Sequence, residues 1–206
     1  IINISSLALG LAACIMIFLF IREEQSFDAF HTKADRLYRL DEVQSFPGTI
    51  TQQVALSMPG MGPNLTNDFP EVENYARYMG RSKVLYEIKD TKITIESSPF
   101  VDSTFLEMFD YVLLLGDRAT ALNEPSSMLL TEETALKFFD SPQEAMDKQF
   151  TIGEDLYKVT GILANVPENT HLQFDALRSM TTITSEEPEF NEQWGSNFLV
   201  TYLQLV

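Results

Sequence analysis

The chain of 206 residues carries 30 acidic and 14 basic side chains, which give it a formal net charge of -16. Such an acidic surface repels nucleic acid and argues against a nucleic-acid partner. The single cysteine, Cys14, cannot form an intrachain disulfide, which excludes a disulfide-stapled scaffold.

The first 21 residues contain no charged side chain and no proline. As a helix they would be about 31 Å long, close to the ~30 Å hydrocarbon core of a bilayer, so residues 1–21 predict a transmembrane helix. A cleaved signal peptide is the competing interpretation, but the most apolar stretch comes last and Arg22 follows it directly. The chain begins at Ile1 and stops inside an apolar run, which is typical of a fragment of a longer protein.

Small side chains recur at every fourth position of this helix, at Ser6, Gly10 and Cys14. They would lie on one stripe, where the backbone of another helix can approach closely. This stripe predicts a packing surface inside a bundle of membrane helices.

Residues 22–39 are rich in charge but neutral overall, with four basic and four acidic side chains. The whole net charge of -16 therefore lies on residues 40–206. A balanced segment beside a bilayer, followed by an acidic body, is typical of a membrane-proximal linker. An ordinary solvated helical segment has the same composition and stays as the alternative.

The first half of the remaining chain predicts a strand, a helix, a hairpin and a second helix. Apolar and polar side chains alternate over residues 36–43, as in a half-buried strand. Apolar residues four apart predict an amphipathic helix over 61–69, and two alternating runs predict a hairpin over 84–95. Asp102 is expected to cap a helix that buries apolar residues of 105–109.

The second half repeats these elements. A short apolar strand is expected over residues 127–130, followed by a helix that starts at Thr131. Ser141, followed by proline and then glutamate, predicts another helix start. Residues 150–159 predict a second hairpin, and the apolar run 198–206 predicts a central strand.

Strands and helices of similar number, with several hairpins, predict an α+β domain and not a doubly wound sheet. A boundary between two subdomains is expected near residues 111–126, since a group of strands and helices lies on either side.

The sequence predicts no catalytic, cofactor or metal site. No glycine lies in a phosphate-binding loop pattern. His31 and His171 are the only histidines, and neither has a metal-binding partner at helical or hairpin spacing. Cys14 lies in the membrane helix, so a Cys–His nucleophile pair is not expected either. We therefore expect a protein that is not an enzyme.

Two motifs open the soluble part of the chain. The first is Glu24-x-Ser26-Phe27-Asp28-x-Phe30-His31, and the second is Ala34-Asp35-Arg36-Leu37-Tyr38-Arg39. Together with Asn3-Ile4 and Leu9-Gly10 of the helix, they resemble the start of MacB/FtsX-type ABC transporter permeases, especially those common in Bacteroidetes. Ser6 stands where that family usually has glycine. Weaker matches in residues 69–73, 101–109 and 159–172 extend the resemblance over nearly the whole chain.

The resemblance implies a periplasmic core domain that follows the first transmembrane helix. Residues 22–110 and 172–206 would form a mixed α/β, porter-like subdomain near the membrane. Residues 111–171 would form a smaller, inserted, β-rich subdomain farther out. The helix would lie in the inner (cytoplasmic) membrane, with residues 22–206 in the periplasm.

The resemblance also implies partners and a mechanism. The partners would be a cytoplasmic ABC ATPase, a second permease copy in a dimer, and in some relatives a periplasmic adaptor or hydrolase. Such permeases couple cytoplasmic ATP hydrolysis to periplasmic movement (mechanotransmission) for export or efflux, and no residue here indicates a substrate. By position, the membrane-proximal coupling segment would contain Arg22, Asp28, His31, Asp35, Arg36 and Arg39.

An extracytoplasmic sensor domain of a membrane-bound signalling protein is the alternative function, because it would show the same layout. Three further membrane helices after residue 206 would favour the permease. One further helix and a kinase would favour the sensor.

Overall fold

The structure is a computed structural model that describes residues 2–48, 50–80 and 83–206. In these ranges the helices are α1 (Ile2–Ser26), α2 (Met61–Asp68), α3 (Phe105–Met108), α4 (Glu132–Leu136), α5 (Pro142–Ala145) and α6 (Thr181–Glu186). The strands are β1 (Leu37–Arg39), β2 (Glu42–Gln44), β3 (Gln52–Val54), β4 (Val72–Met79), β5 (Val84–Ile88), β6 (Thr91–Ile95), β7 (Phe100–Val101), β8 (Leu113–Gly116), β9 (Ser127–Thr131), β10 (Gln149–Ile152), β11 (Asp155–Leu163), β12 (Ala176–Ser179) and β13 (Val200–Leu205).

Helix α1 has 25 residues and is about 37 Å long. Among the described residues it is the one helix long and apolar enough to cross a membrane, and none of its apolar window is buried against the domain. The predicted membrane span, residues 1–21, covers the apolar part of α1, and the helix continues to Ser26. The reason is that Arg22, Glu23 and Glu24 interrupt the apolar run but are themselves good helix formers.

Most of the strands form one mixed sheet with the order β1-β13-β4-β7-β12-β9-β11-β10-β5-β6, and β8 pairs with β11 as well. Pairs β9–β11 and β7–β12 are parallel, and the other pairs of this sheet are antiparallel. Strands β2 and β3 form a separate hairpin. The predicted α+β class is confirmed, and the C-terminal strand β13 is paired on both sides, as a central strand should be.

Two large apolar clusters pack against this sheet, and a small third one contains Met180, Phe190 and Leu199. The first centres on Phe105 and Tyr78, and the second on Phe150 and Tyr86. Hairpin β5–β6 lies beside β10, so residues 84–95 pack with the second cluster. The division of the chain at residues 110/111 and 171/172 into two subdomains stays a prediction.

Several local predictions are confirmed by the hydrogen bonds. The hairpins over 84–95 and 150–159 form β5–β6 and β10–β11. Thr131 caps α4, because its hydroxyl accepts the backbone N–H of Thr134 at 3.2 Å. Helix α5 begins at Pro142, directly after Ser141, as its sequence indicated.

The prediction that Asp102 caps α3 is wrong, because the carboxylate of Asp102 binds the buried guanidinium of Arg77. The carboxylate of Asp102 accepts from the backbone N–H, Nε and Nη2 of Arg77 at 2.7, 2.9 and 2.7 Å. The side chain of Arg77 is 1% exposed. Leaving a charge so buried without a partner costs more free energy than leaving a helix end without a cap. Burial by itself would lower the pKa of Arg77, but the hydrogen bonds and charge of Asp102 outweigh it and raise that pKa.

Removal of the carboxylate in Asp102→Ala should lower the free energy of unfolding by about 3–5 kcal/mol, since it leaves a buried charge unpaired. Denaturant unfolding of the detergent-solubilised protein, followed by tryptophan fluorescence, measures this change. The control is Lys83→Ala, which breaks the exposed Lys83–Glu96 pair and should cost less than about 1 kcal/mol. Equal losses in the two variants would contradict the assignment.

Candidate functional site at the junction of helix and domain

The chain turns sharply just after α1, at Asp28. Its φ of 57° lies in the left-handed region, which aspartate tolerates better than most residues. The backbone N–H of Asp28 donates to the carbonyl of Asn169 at 2.9 Å. In return, the side-chain amide of Asn169 donates to the carbonyl of Ser26 at 3.0 Å and to its hydroxyl at 3.2 Å. A carbonyl that the helix end leaves without an intrahelical partner is thus satisfied by the domain.

The carboxylate of Asp28 extends this contact into the sheet. It accepts from the Thr170 hydroxyl at 2.5 Å, the backbone N–H of His171 at 3.2 Å and the Nδ1 of His171 at 2.7 Å. Since a carboxylate only accepts, Nδ1 of His171 carries a proton, and Nε2 is hydrogen-bonded to the Tyr202 hydroxyl at 2.7 Å. Tyr202 belongs to β13, so a series of hydrogen bonds joins the turn after α1 to a strand next to the edge of the sheet.

These contacts shift the pKa of Asp28. Burial by itself would raise it, but the hydrogen bonds from Thr170 and His171 and the charge of His171 together hold the pKa below its ordinary value. The carboxylate is therefore ionised and acts as the acceptor at the centre of the junction.

His31 lies beside this network and is 5% exposed. Its ring packs between Phe30 and Phe109, with centroids 4.0 and 5.2 Å away. The backbone N–H of Asp110 donates to Nδ1 at 3.1 Å, so the proton of the neutral ring is on Nε2. Burial and the charge of His171 lower the pKa of His31, against the opposite pull of Asp28 and Asp110.

Hydrogen bonds of Asp110 and Lys33 connect the segment after His31 to the region around α3. The carboxylate of Asp110 accepts from the backbone N–H and the hydroxyl of Thr32, at 2.5 and 2.9 Å. The ammonium of Lys33 donates to the carbonyl of Glu107 at 2.7 Å. Residues 28–33 are therefore held against the domain along their whole length.

The remaining predicted coupling residues lie on the surface. Arg22 is exposed on α1 and Asp35 is exposed on a 3-10 turn (residues 34–36) before β1. Arg36 pairs with Glu73 at 3.3 Å and Arg39 pairs with Asp41 at 3.0 Å, and all four side chains are 40–49% exposed. Exposed pairs of this kind contribute little free energy. The structure thus brings Asp28 and His31 together and places Arg39 in the lining of the pocket beside them, whereas Arg22, Asp35 and Arg36 lie apart.

A pocket of about 430 Å³ opens at this junction. It is lined by Asp28, His31, Ala34, Leu37, Arg39, Asp41, Phe109, His171 and Tyr202. Sequence analysis did not single out Asn169, Thr170, Asp110 or Tyr202 as site residues. Because they lie 31 or more positions from the residues they bind at the junction, local patterns could not reveal them. The resemblance of residues 159–172 to a family motif was the one signal that pointed to this turn.

The stripe of Ser6, Gly10 and Cys14 is exposed along α1, and a Cβ built on Gly10 would meet nothing within 4 Å. The stripe is accessible to another helix, and its role in packing stays a prediction.

The family model described as MacB-like periplasmic core domain matches residues 1–204. The chain belongs to this family.

Solved structures of low sequence identity share the fold. A domain of a protein described as a permease, from Porphyromonas gingivalis, is 20% identical with a TM-score of 0.71, over 85% of this chain and 77% of that chain. The periplasmic region of MacB from Actinobacillus actinomycetemcomitans is 9% identical with a TM-score of 0.56, over 82% and 74%. The extracellular domain of the noncanonic ABC-type transporter YknZ, from Gram-positive bacteria, is 12% identical with a TM-score of 0.55, over 82% and 83%. No curated protein matches the chain.

The family match confirms the resemblance found in the sequence. The chain is a MacB-like extracytoplasmic domain of an ABC-transporter-type permease, attached to one helix that is able to anchor it in a membrane. The junction described above is therefore the point at which the MacB-like domain meets its membrane helix.

Loss of the charge in Asp28→Asn should lower the free energy of unfolding at neutral pH by about 1–3 kcal/mol, the usual contribution of hydrogen bonds to a charged group. Because the folded protein lowers the pKa of Asp28, this contribution is complete above the ordinary value of 3.8 and is lost as the pH falls through the folded-state pKa. Denaturant titrations should therefore show that the difference between wild type and variant shrinks in acid. Asp90→Asn, in the exposed turn between β5 and β6, should show no such difference.

His31 should give the domain a second pH dependence. Its pKa in the folded protein lies below the ordinary value of 6.5, so below that pH the unfolded chain binds more protons than the folded one. The free energy of unfolding should fall as the pH is lowered from about 7 to about 5.5, and His31→Phe should have a smaller slope over this range. Identical slopes in wild type and variant would show that another group is responsible.

Proposed function

We propose that residues 22–39 couple the membrane helix to the MacB-like domain, so that both move together when a cytoplasmic ABC ATPase binds and hydrolyses ATP. The observation that supports this is the junction itself. Helix α1 runs without a break beyond residue 21, and its last turn is hydrogen-bonded to Asn169. A displacement of the helix end would therefore displace the domain.

The path of such a displacement can be followed through the hydrogen bonds. It leads from Asp28 through His171 to Tyr202 on β13. Strand β13 is paired with β1 on one side and with β4 on the other, so movement of β13 carries both neighbours. In such a mechanism ATP acts by favouring one of two arrangements of the permease.

The proposal includes the setting in which this coupling works. The helix lies in the inner (cytoplasmic) membrane, residues 22–206 lie in the periplasm, and two permease copies form a dimer. An ABC ATPase acts from the cytoplasm, and a periplasmic adaptor or hydrolase is a further candidate partner. The movement serves export or efflux, and the domain contributes no catalytic centre of its own.

The test inserts Gly-Gly-Ser after Ser26 in the full-length permease, assembled with its ATPase in nanodiscs. Cys14 is replaced by serine and a spin label is placed at Asp90→Cys, in the exposed turn between β5 and β6. With the unmodified junction, ATP should change the distance between the labels of the two copies. The insertion should abolish or strongly reduce that change, because a flexible linker does not hold the helix end against residues 169–171.

The matched control carries the same insertion after Gly153, in the turn between β10 and β11, and should keep the ATP-dependent change. Rates of ATP hydrolysis, measured on the same samples, show that the ATPase is intact. An unchanged distance response in the Ser26 insertion would mean that residues 22–39 only anchor the domain.

A further inference from the structure

An apolar groove lies on the surface between α2 and Trp194. Its volume is about 280 Å³, and it is lined by Leu40, Met61, Asn64, Leu65, Asp68 and Trp194. Trp194 is 52% exposed, although tryptophan is the residue with the largest apolar surface to bury. An exposed tryptophan beside an apolar groove is typical of an interaction site. We name this surface the Trp194 groove.

The groove is held by the fold. A Cβ built on Gly60 would lie 3.1 Å from the ring of Trp194, so the ring packs directly on the Gly60 backbone. The N–H of Gly60 donates to the carbonyl of Gln193 at 3.2 Å, and the side chain of Asn64 donates to the carbonyl of Gly60 at 2.7 Å. The buried Arg77 also reaches both walls, through the carbonyl of Pro59 and the side chain of Asn191. These contacts therefore hold the tryptophan ring in a defined position on the surface.

The segments that form the groove carry negative charge alone. Residues 40–76 contain five acidic side chains and residues 179–206 contain four, and neither segment contains lysine or arginine. The acidic residues are Asp41, Glu42, Asp68, Glu71, Glu73, Glu186, Glu187, Glu189 and Glu192. Three arginines lie close to these segments, and each is paired with a carboxylate. Arg36 pairs with Glu73, Arg39 with Asp41 and Arg77 with Asp102. Asp68 lies in the lining of the groove, and the two segments that form it carry acidic side chains and no basic ones.

We propose that the Trp194 groove binds a cationic polypeptide segment of another protein, with an aliphatic or aromatic side chain as its anchor. The anchor would pack on Trp194 and Leu65, and flanking lysine or arginine side chains would face the surrounding carboxylates. A second copy of this chain brings the same negative charge to the contact, and an anionic lipid surface does as well, so charge disfavours both. Helix α2 is about 12 Å long, which matches about four residues of extended chain.

The test measures binding of short labelled peptides to the full-length permease in nanodiscs of zwitterionic lipid. The probe is the hexapeptide Lys-Lys-Leu-Leu-Lys-Lys, and two matched peptides replace its leucines by serine or its lysines by glutamate. Fluorescence anisotropy should show saturable binding of the first peptide and much weaker binding of the other two. Added salt should weaken the binding, since part of the attraction is between exposed charges.

Variants locate the site. Trp194→Ala should weaken binding about tenfold, as expected when the anchor of a contact is removed, and Asp68→Asn should weaken it less. The controls are Leu156→Ala, an apolar side chain on β11 that is 56% exposed, and Glu154→Gln in the adjacent turn, and both should bind as wild type. Thermal melting of each variant shows that it is folded.

Several outcomes would overturn the proposal. Equal binding of the serine peptide would mean that charge alone attracts the probe. Equal losses in the control variants, or no saturable binding by folded wild type, would remove the site. If Trp194→Ala instead breaks the permease dimer, or abolishes attachment to anionic vesicles, the groove is occupied by a second copy or by lipid. The coupling test at Ser26 is independent of these results, so either proposal can fail alone.

Discussion

The left-handed turn at Asp28 is the constraint on which the connection between helix and domain depends. A backbone in this region is unfavourable for most residues, and here it is stabilised because backbone and side chain are both hydrogen-bonded to residues 169–171. The same carboxylate orients His171 toward Tyr202. One residue therefore sets both the direction in which α1 leaves the domain and the route from helix to sheet. In the proposed coupling, a displacement of α1 reaches the sheet through this short series of hydrogen bonds.

A second buried interaction, on strand β4, holds together three segments that are distant in the chain. The guanidinium of Arg77 contacts Asp102 before α3, Pro59 before α2 and Asn191 beside Trp194. A charge buried to this extent requires every donor to be satisfied, so these segments hold one arrangement around it. The exposed position of Trp194 is therefore tied to the core of the domain. The surface proposed as a docking groove is therefore connected to the core through the hydrogen bonds of Arg77.

Local sequence patterns predicted most individual elements. The apolar run at the start, the proline and serine at the start of α5 and the alternation in β10–β11 depend on neighbours within a few positions, and physical rules act at that range. Two predictions were wrong for a common reason. Asp102 does not cap α3, because its carboxylate binds Arg77, which lies outside the local pattern. The single strand expected over 36–43 is divided into β1, which pairs with β13, and β2, which pairs with β3, and these partners are not visible in the local alternation.

By itself the sequence determined that a membrane helix is followed by an acidic α+β domain, and it carried motifs sufficient to identify a MacB-like family member. Composition and periodicity are properties of single segments, so they can be read along the chain. Tertiary structure alone decided that Asp28 contacts residues 169–171 and that α2 and Trp194 line one groove. It also decided that Asp102 binds Arg77 and does not cap α3. Each of these contacts joins segments far apart in the chain, and which distant groups meet depends on strand order and packing of the whole sheet.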